Sequence, residues 1–370
     1  MPTELVSIPS EASLDQKVAS LRILRLALGT SLSLCFSQAM AWDMSFIAPI
    51  FTMFLLATPM PAPKLKAGIG LVLALLAPVI IGSYLLLPFF VHLRSVSILL
   101  VSLALFHSFY LTARGVPAVV GTFLTIGITL NVAIGSISID AVAIVTQGVA
   151  VGAAAGIAFV WISHALLPDP PELRESAQTP RPPTVKPPIR IAQLKALRSL
   201  AVVLPVAIGF LFSAASASYI VVMMKVASMG QEAEAAGSRN AGKSLIESTV
   251  WGGIGAIIAW QILSVWPSLL FYTLLIAISA LLYGRRIFQG SGMHPKGATW
   301  SYAFMTMIIL LAPAALDGAG GSAAGAAFWS RLLLVGIAAL YGSLAVTVFD
   351  SFWPTREPDA SRITETRRPA

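Results

Sequence analysis

Four ionisable side chains lie inside apolar runs where a bilayer would tolerate them poorly. Lys225 lies in SYIVVMMKVASMG, Glu247 in a run that begins near Lys243, Arg331 in the last apolar run and His107 in LALFHSFYLT. A lysine at the centre of a membrane helix costs about 2.5 to 3.5 kcal/mol on insertion scales, so it needs a partner, a water path or a use. Lys225 sits about six residues above the inner end of its run, or ~9 Å at 1.5 Å per residue. From that depth its ammonium either snorkels to the headgroups or holds an anion. In the second case Glu247, at comparable depth on the antiparallel run, is the expected resting partner, and a carboxylate solute would compete with it for the lysine. Pro49 occupies the matching place in the first half of the chain, so such a site would be asymmetric.

Arg331 falls about five residues inside the outer end of the last run. It either snorkels and pairs with Asp317, or serves as an outer anion station with Lys225 as the inner one. A guanidinium suits a carboxylate because its fork donates two parallel hydrogen bonds. His107 has two accounts, a neutral ring hydrogen-bonded to Ser108 and a proton relay. Glu247 and His107 are therefore the candidates for proton coupling. Asp43 and Asp140 stand at outer ends of runs, where water reaches them. Other chemistry finds no support in the spacing. His92, His107, His164 and His294 are scattered singly, which gives no metal-ligand cluster. No Gly-x-Ser-x-Gly elbow occurs, and no Lys-Ser/Thr follows the Gly-Ile-Gly tripeptides or the small-residue runs 148–158 and 318–327 at the spacing that phosphate binding requires. Neither an enzyme nor a cofactor is expected.

These residues must be positioned by helices in lipid. Of the 370 residues, 57% are hydrophobic and 11% charged, against about 25% charged in a soluble domain. The single Cys35 excludes a disulfide framework, a redox pair and a thiolate metal site. A net charge of +8 raises nucleic acid as a partner, but the basic residues are spread between apolar runs, so none is expected. Glu4, Glu11 and Asp15 argue against a cleaved leader, which makes the first run a retained span.

A bilayer core needs about 20 apolar residues in helical form. That ruler predicts twelve spans, at 21–41, 44–60, 67–91, 95–112, 116–135, 140–167, 195–214, 217–231, 245–265, 268–284, 298–315 and 326–353. With both termini cytoplasmic, 21 of the 24 Lys and Arg fall inside, as the positive-inside rule asks. The plan is used twice. The order that begins at Leu21-Arg22 returns at Leu197-Arg198, and the Gly-Ile-Gly of Gly68 and Gly70 returns at Gly253 and Gly255. These glycines, with the small-residue runs at 148–158 and 318–327, are expected to let helices approach closely. The second copy holds about nine more residues, placed most simply in the polar stretch Gln231 to Gly242. Six spans per copy is even, so two tandem, parallel six-helix repeats are expected, related by an axis along the membrane normal.

The domain plan is a cytoplasmic segment 1–20, a first repeat 21–167, a linker 168–194, a second repeat 195–353 and a cytoplasmic tail 354–370. Eight prolines between Pro168 and Arg190 make the linker an extended tether.

The run Arg22 to Gly70, with Trp42 at the turn, Ala48-Pro49-Ile50-Phe51-Thr52 in the second span and lysines before a glycine-bearing third, resembles the fusaric acid resistance and aromatic acid exporter family. Arg198, Lys243 and Gly252 to Gly255 form a weaker echo. The resemblance implies proton-driven efflux of aromatic or other organic carboxylic acids across the bacterial inner membrane, with a periplasmic membrane-fusion adaptor as a partner. It also implies two six-span units flanking an anion path. The large cytosolic domains of fuller family members have no counterpart here. The expectation is therefore a minimal exporter of organic anions. The alternatives are a passive organic-anion channel and a non-transporting scaffold for an adaptor, and self-association into a homo-oligomer stays open.

Overall fold

A computed structural model describes residues 11–42, 44–134, 139–170, 187–212, 217–235, 240–290, 292–316 and 322–353. They form twelve helices and a two-residue hairpin. The first six are α1 (Glu11–Ala39), α2 (Ile47–Leu56), α3 (Leu65–His92), α4 (Arg94–Ala113), α5 (Ala118–Ile134) and α6 (Ile139–Leu166). The second six are α7 (Ile189–Phe212), α8 (Ala217–Ala235), α9 (Ala241–Val265), α10 (Leu269–Ile287), α11 (Gly297–Leu316) and α12 (Ser322–Phe352). Between α10 and α11, β1 (Phe288–Gln289) pairs antiparallel with β2 (Gly292–Met293) across Gly290, whose φ of +57° suits glycine. Each expected run coincides with one helix. Breaks fall at Ala41 (φ 50°), at Pro59, Pro61 and Pro63, and at Gly115 (φ 99°) followed by Pro117.

By length and composition, eight helices can cross a bilayer: α1, α3, α4, α6, α7, α9, α10 and α12. That marks a multi-pass membrane protein. In three more helices, α2, α5 and α11, the apolar stretch is shorter, at Ile47–Leu56, Ala118–Leu130 and Gly297–Ala312. The remaining one, α8, carries too many polar residues to qualify.

Those four form the centre of the fold. All ten residues of α2 are buried, as are 222–233 of α8 and 301–312 of α11, while α5 is buried along most of 119–130. A helix apolar on every side belongs inside protein, whereas one with a single buried stripe belongs at the rim. At ten residues α2 is about 15 Å long, half of a hydrocarbon core, and its ends escape lipid because neighbours wrap them. The outer eight helices turn bare apolar side chains outward, Leu99 at 69% and Leu270 at 71% exposure among them. Water would not tolerate such a surface, and acyl chains would cover it.

Small residues set the close approaches. A Cβ added at Gly148, Gly152 or Gly156 of α6 would meet Met44, Ile47 or Phe51, at 2.9, 2.7 and 2.9 Å, so this stripe seats α2 and the turn before it. A Cβ on Gly252 of α9 would stand 2.5 Å from the backbone oxygen of Ala303 in α11. Gly68 abuts Trp161 and Ile157, Gly253 abuts Leu332, and Gly255 abuts Tyr283 and Met307. Gly70 differs: nothing lies within 4 Å of where its Cβ would be, because it faces away from the neighbouring helices.

Neighbour relations between the two halves are reciprocal. Helix α1 packs against α10 and α4 against α7, while α2 meets α11 and α5 meets α8. Ile23 near the middle of α1 lies against Gly284 near the end of α10. At the other seam, Arg114 just past α4 donates from Nη1 to the carbonyl of Pro187 just before α7, at 2.7 Å.

Buried arginines repeat as well. Arg25 of α1 donates to Leu167 O and Asp169 Oδ1, both at 2.6 Å, beyond the end of α6. Arg198 of α7 reaches Asp350 Oδ2 at 3.4 Å near the end of α12. The counterpart of Arg198 is thus Arg25, one turn beyond the Arg22 that sequence order suggested. Asp43, Asp317, most of the proline-rich linker and the tail lie outside the described residues.

Candidate functional site

The polar residues of the second half converge on α8. This helix runs four residues past the expected end at 231, which carries Gln231, Glu232 and Ala233 into the interior instead of into a loop. Its last turn is held from α7. Ser199 Oγ donates to Gly230 O at 2.8 Å, and Arg198 Nη2 donates to Ala233 O. The second bond satisfies a carbonyl of the last turn, which a helix end leaves without an intrahelical partner.

Lys225 and Glu232 are 0% and 1% exposed, and Nζ stands 3.8 Å from Oε2. Seven residues make about two turns, so the two side chains rise from one face of α8 roughly 10.5 Å apart along the axis, and the long lysine closes the gap. Glu232 is anchored from α9, where Ser244 Oγ donates to Oε1 and Ser248 Oγ to Oε2, each at 2.9 Å. Ser244 is joined in turn to Thr299 Oγ1 of α11 at 2.8 Å. Gln231 Nε2 donates to Thr125 Oγ1 of α5 at 3.0 Å, and Thr125 lies 2.9 Å from Ser108 Oγ of α4.

The carboxylate is thus well satisfied and the ammonium is not. Among the described residues no acceptor lies within hydrogen-bond distance of Lys225 Nζ. Gln231 Oε1 is likewise buried without a donor. A buried ammonium short of acceptors is costly, and an added carboxylate would give it charge-assisted hydrogen bonds.

The expected Lys225–Glu247 pair does not form. Glu247 is drawn outward by Lys296, with Nζ 3.1 Å from Oε2, and by Lys243 at 3.7 Å. Depth along α9 is right for a pair but facing is wrong. At 100° per residue, Glu247 is turned about 60° from Ser244 and about 100° from Ser248, the two residues that face α8. His107 also lies outside the cluster. Its ring is exposed on α4, 6.5 Å from Tyr110, and the hydroxyl of Ser108 is engaged by Thr125 and Gly121 O instead.

Arg331 is 5% exposed, enclosed by protein. It lies on α12, which packs against α7, α8, α9 and α11, one turn from Phe328, whose ring stacks on Trp260 of α9 at 5.4 Å.

Sequence reasoning missed Glu232, Gln231, Ser244, Ser248 and Thr125. A signal for Glu232 was present, since it follows Lys225 by seven positions and so shares its helix face. For the hydroxyls there was none, because the chain is rich in serine and threonine throughout.

A family profile described as "Protein of unknown function (DUF2955)" matches residues 22–163, which is α1 to near the end of α6. No curated protein and no solved structure matches. The profile's description names no activity, and the likeness to aromatic acid exporters rests on the motifs alone.

Proposed function

We propose that this protein carries aromatic or other organic carboxylates out across the bacterial inner membrane, with proton coupling. In this reading all twelve helices cross, both termini are cytoplasmic, and two six-helix units face the same way about an axis along the membrane normal. Support comes from the reciprocal seams, α1 with α10 and α4 with α7, and from the twin Arg25–Asp169 and Arg198–Asp350 pairs. The resemblance adds a periplasmic membrane-fusion adaptor as partner.

The observation that carries the reading is the Lys225 ammonium, wholly buried on a central helix, near an anchored carboxylate but without a hydrogen-bond acceptor among the described residues. A solute carboxylate is the group that would complete it. Arg331, buried on the adjacent α12, is the proposed outer station. Counterflow of 4-hydroxybenzoate in proteoliposomes tests the proposal. Lys225→Ala is expected to lower uptake at least tenfold, and a variant that matches the wild type removes Lys225 from the path.

A further inference from the structure

We infer that an anion taken up at Lys225 brings one proton with it, held on Glu232, so that this site moves an acid as a neutral unit. The inference rests on the anion site proposed above and adds the direction of its coupling.

Lys225 and Glu232 face each other at 3.8 Å with essentially no solvent exposure. Together they hold one shared proton and no net charge, whether drawn as ammonium with carboxylate or as amine with carboxylic acid. The proton count belongs to the pair, not to either member. A solute carboxylate needs Lys225 as ammonium. Once the solute is seated, Glu232 has lost its cation, and a bare carboxylate so deeply buried beside a second anion is disfavoured on both counts. Taking a proton from water removes that charge. The balance is ammonium–carboxylate pair plus solute anion plus proton, giving solute-bound ammonium plus carboxylic acid. Both sides are neutral, and the count is the same from the amine–acid form.

Among the described residues, the surroundings offer no other place for the charge. From α7, Arg198 faces the end of α8 but is committed to Ala233 O and Asp350. From α9, Ser244 and Ser248 face Glu232, while Lys243 and Glu247 turn outward to each other and to Lys296. Thr299 of α11 reaches the pair only through Ser244, and Thr125 of α5 meets Gln231. Ser108 of α4 touches Thr125 and brings no charge. Among the described residues, Arg331 on α12 is the remaining buried cation on a helix packed against α8. The two serine hydroxyls adapt to either state of Glu232, since a hydroxyl both donates and accepts.

By linkage, an anion that promotes proton binding is itself promoted by protons, so the two travel in the same direction. The inward proton gradient would then oppose export through this pair. Efflux would run on the solute's own cytoplasmic excess, in place of the proton exchange that the resemblance implies.

The test is calorimetric titration of the purified full chain in nanodiscs with 4-hydroxybenzoate near neutral pH, in two buffers of different ionisation enthalpy. Uptake of about one proton per bound anion is expected. Infrared spectra of the bound state should show a protonated-carboxyl band that Glu232→Gln lacks. Binding without proton uptake, or with proton release, overturns the inference and leaves the anion site standing. Uptake without the Glu232 band also overturns it, because the proton then sits elsewhere. No binding by 4-hydroxybenzoate, benzoate or a short aliphatic carboxylate would sink the anion site itself and this inference with it.

Discussion

At the scale of the residue, the question is whether Lys225 and Glu232 serve the fold or a solute. Breaking a buried pair by removing one partner is costly, about 3 to 5 kcal/mol, because the survivor is left as an uncompensated charge. Replacing both by apolar groups of similar volume is often neutral or better. Thermal unfolding in detergent should therefore show Lys225→Met or Glu232→Leu alone clearly destabilised and the double variant close to wild type. The same double variant should bind no 4-hydroxybenzoate. If it unfolds as readily as either single variant, the pair is a structural element and the transport reading loses its centre. Ser244 and Ser248 bear on this choice: both donate to Glu232, so its carboxylate is held in place while Lys225 Nζ has no hydrogen-bond acceptor among the described residues.

At the scale of the element, small residues decide which helices touch. Lipid offers no hydrophobic drive to bring two helices together, so association depends on close fit and hydrogen bonds. Gly252 makes the tightest approach to backbone among the glycines of α9, with backbone of α11 where its side chain would be. Gly252→Ala should lower stability by about 1 to 3 kcal/mol, since backbone cannot swing aside as a side chain can. Gly70→Ala, with nothing within 4 Å, should shift stability by no more than about 0.5 kcal/mol. Melting curves of fluorescent fusions would rank the two, and a reversed order would mean that the α9–α11 contact is drawn wrongly. The sequence marked Gly70 as the copy of Gly255 in the repeated Gly-Ile-Gly and left Gly252 just outside that tripeptide. It held no information on facing, and facing is what separates Gly252 from Gly70.

At the scale of the whole molecule, the arrangement depends on two seams that join the halves. A Cβ at Gly284 of α10 would lie 3.5 Å from Cβ of Ile23 in α1, within the range that a disulfide spans. In a Cys35→Ser background, the pair Ile23→Cys and Gly284→Cys should therefore crosslink under mild oxidation within one chain, read as altered mobility after proteolysis in the linker. Failure to crosslink would separate α1 from α10 and undo the reciprocal plan.

The sequence alone determined the multi-pass membrane class, the twelve helices among the described residues and their approximate ends, because hydropathy and breaker residues act locally along the chain. Twelve runs were legible for that reason, and so was the recurrence of Arg22 to Gly70 in the second half. Only the tertiary structure decided that α2, α5, α8 and α11 lie at the centre, that Arg25 and not Arg22 matches Arg198, and that Lys225 faces Glu232 and not Glu247. Those choices depend on rotation about helix axes. In a medium as apolar as the helices themselves, rotation is fixed by shape and hydrogen bonds between segments far apart in the chain.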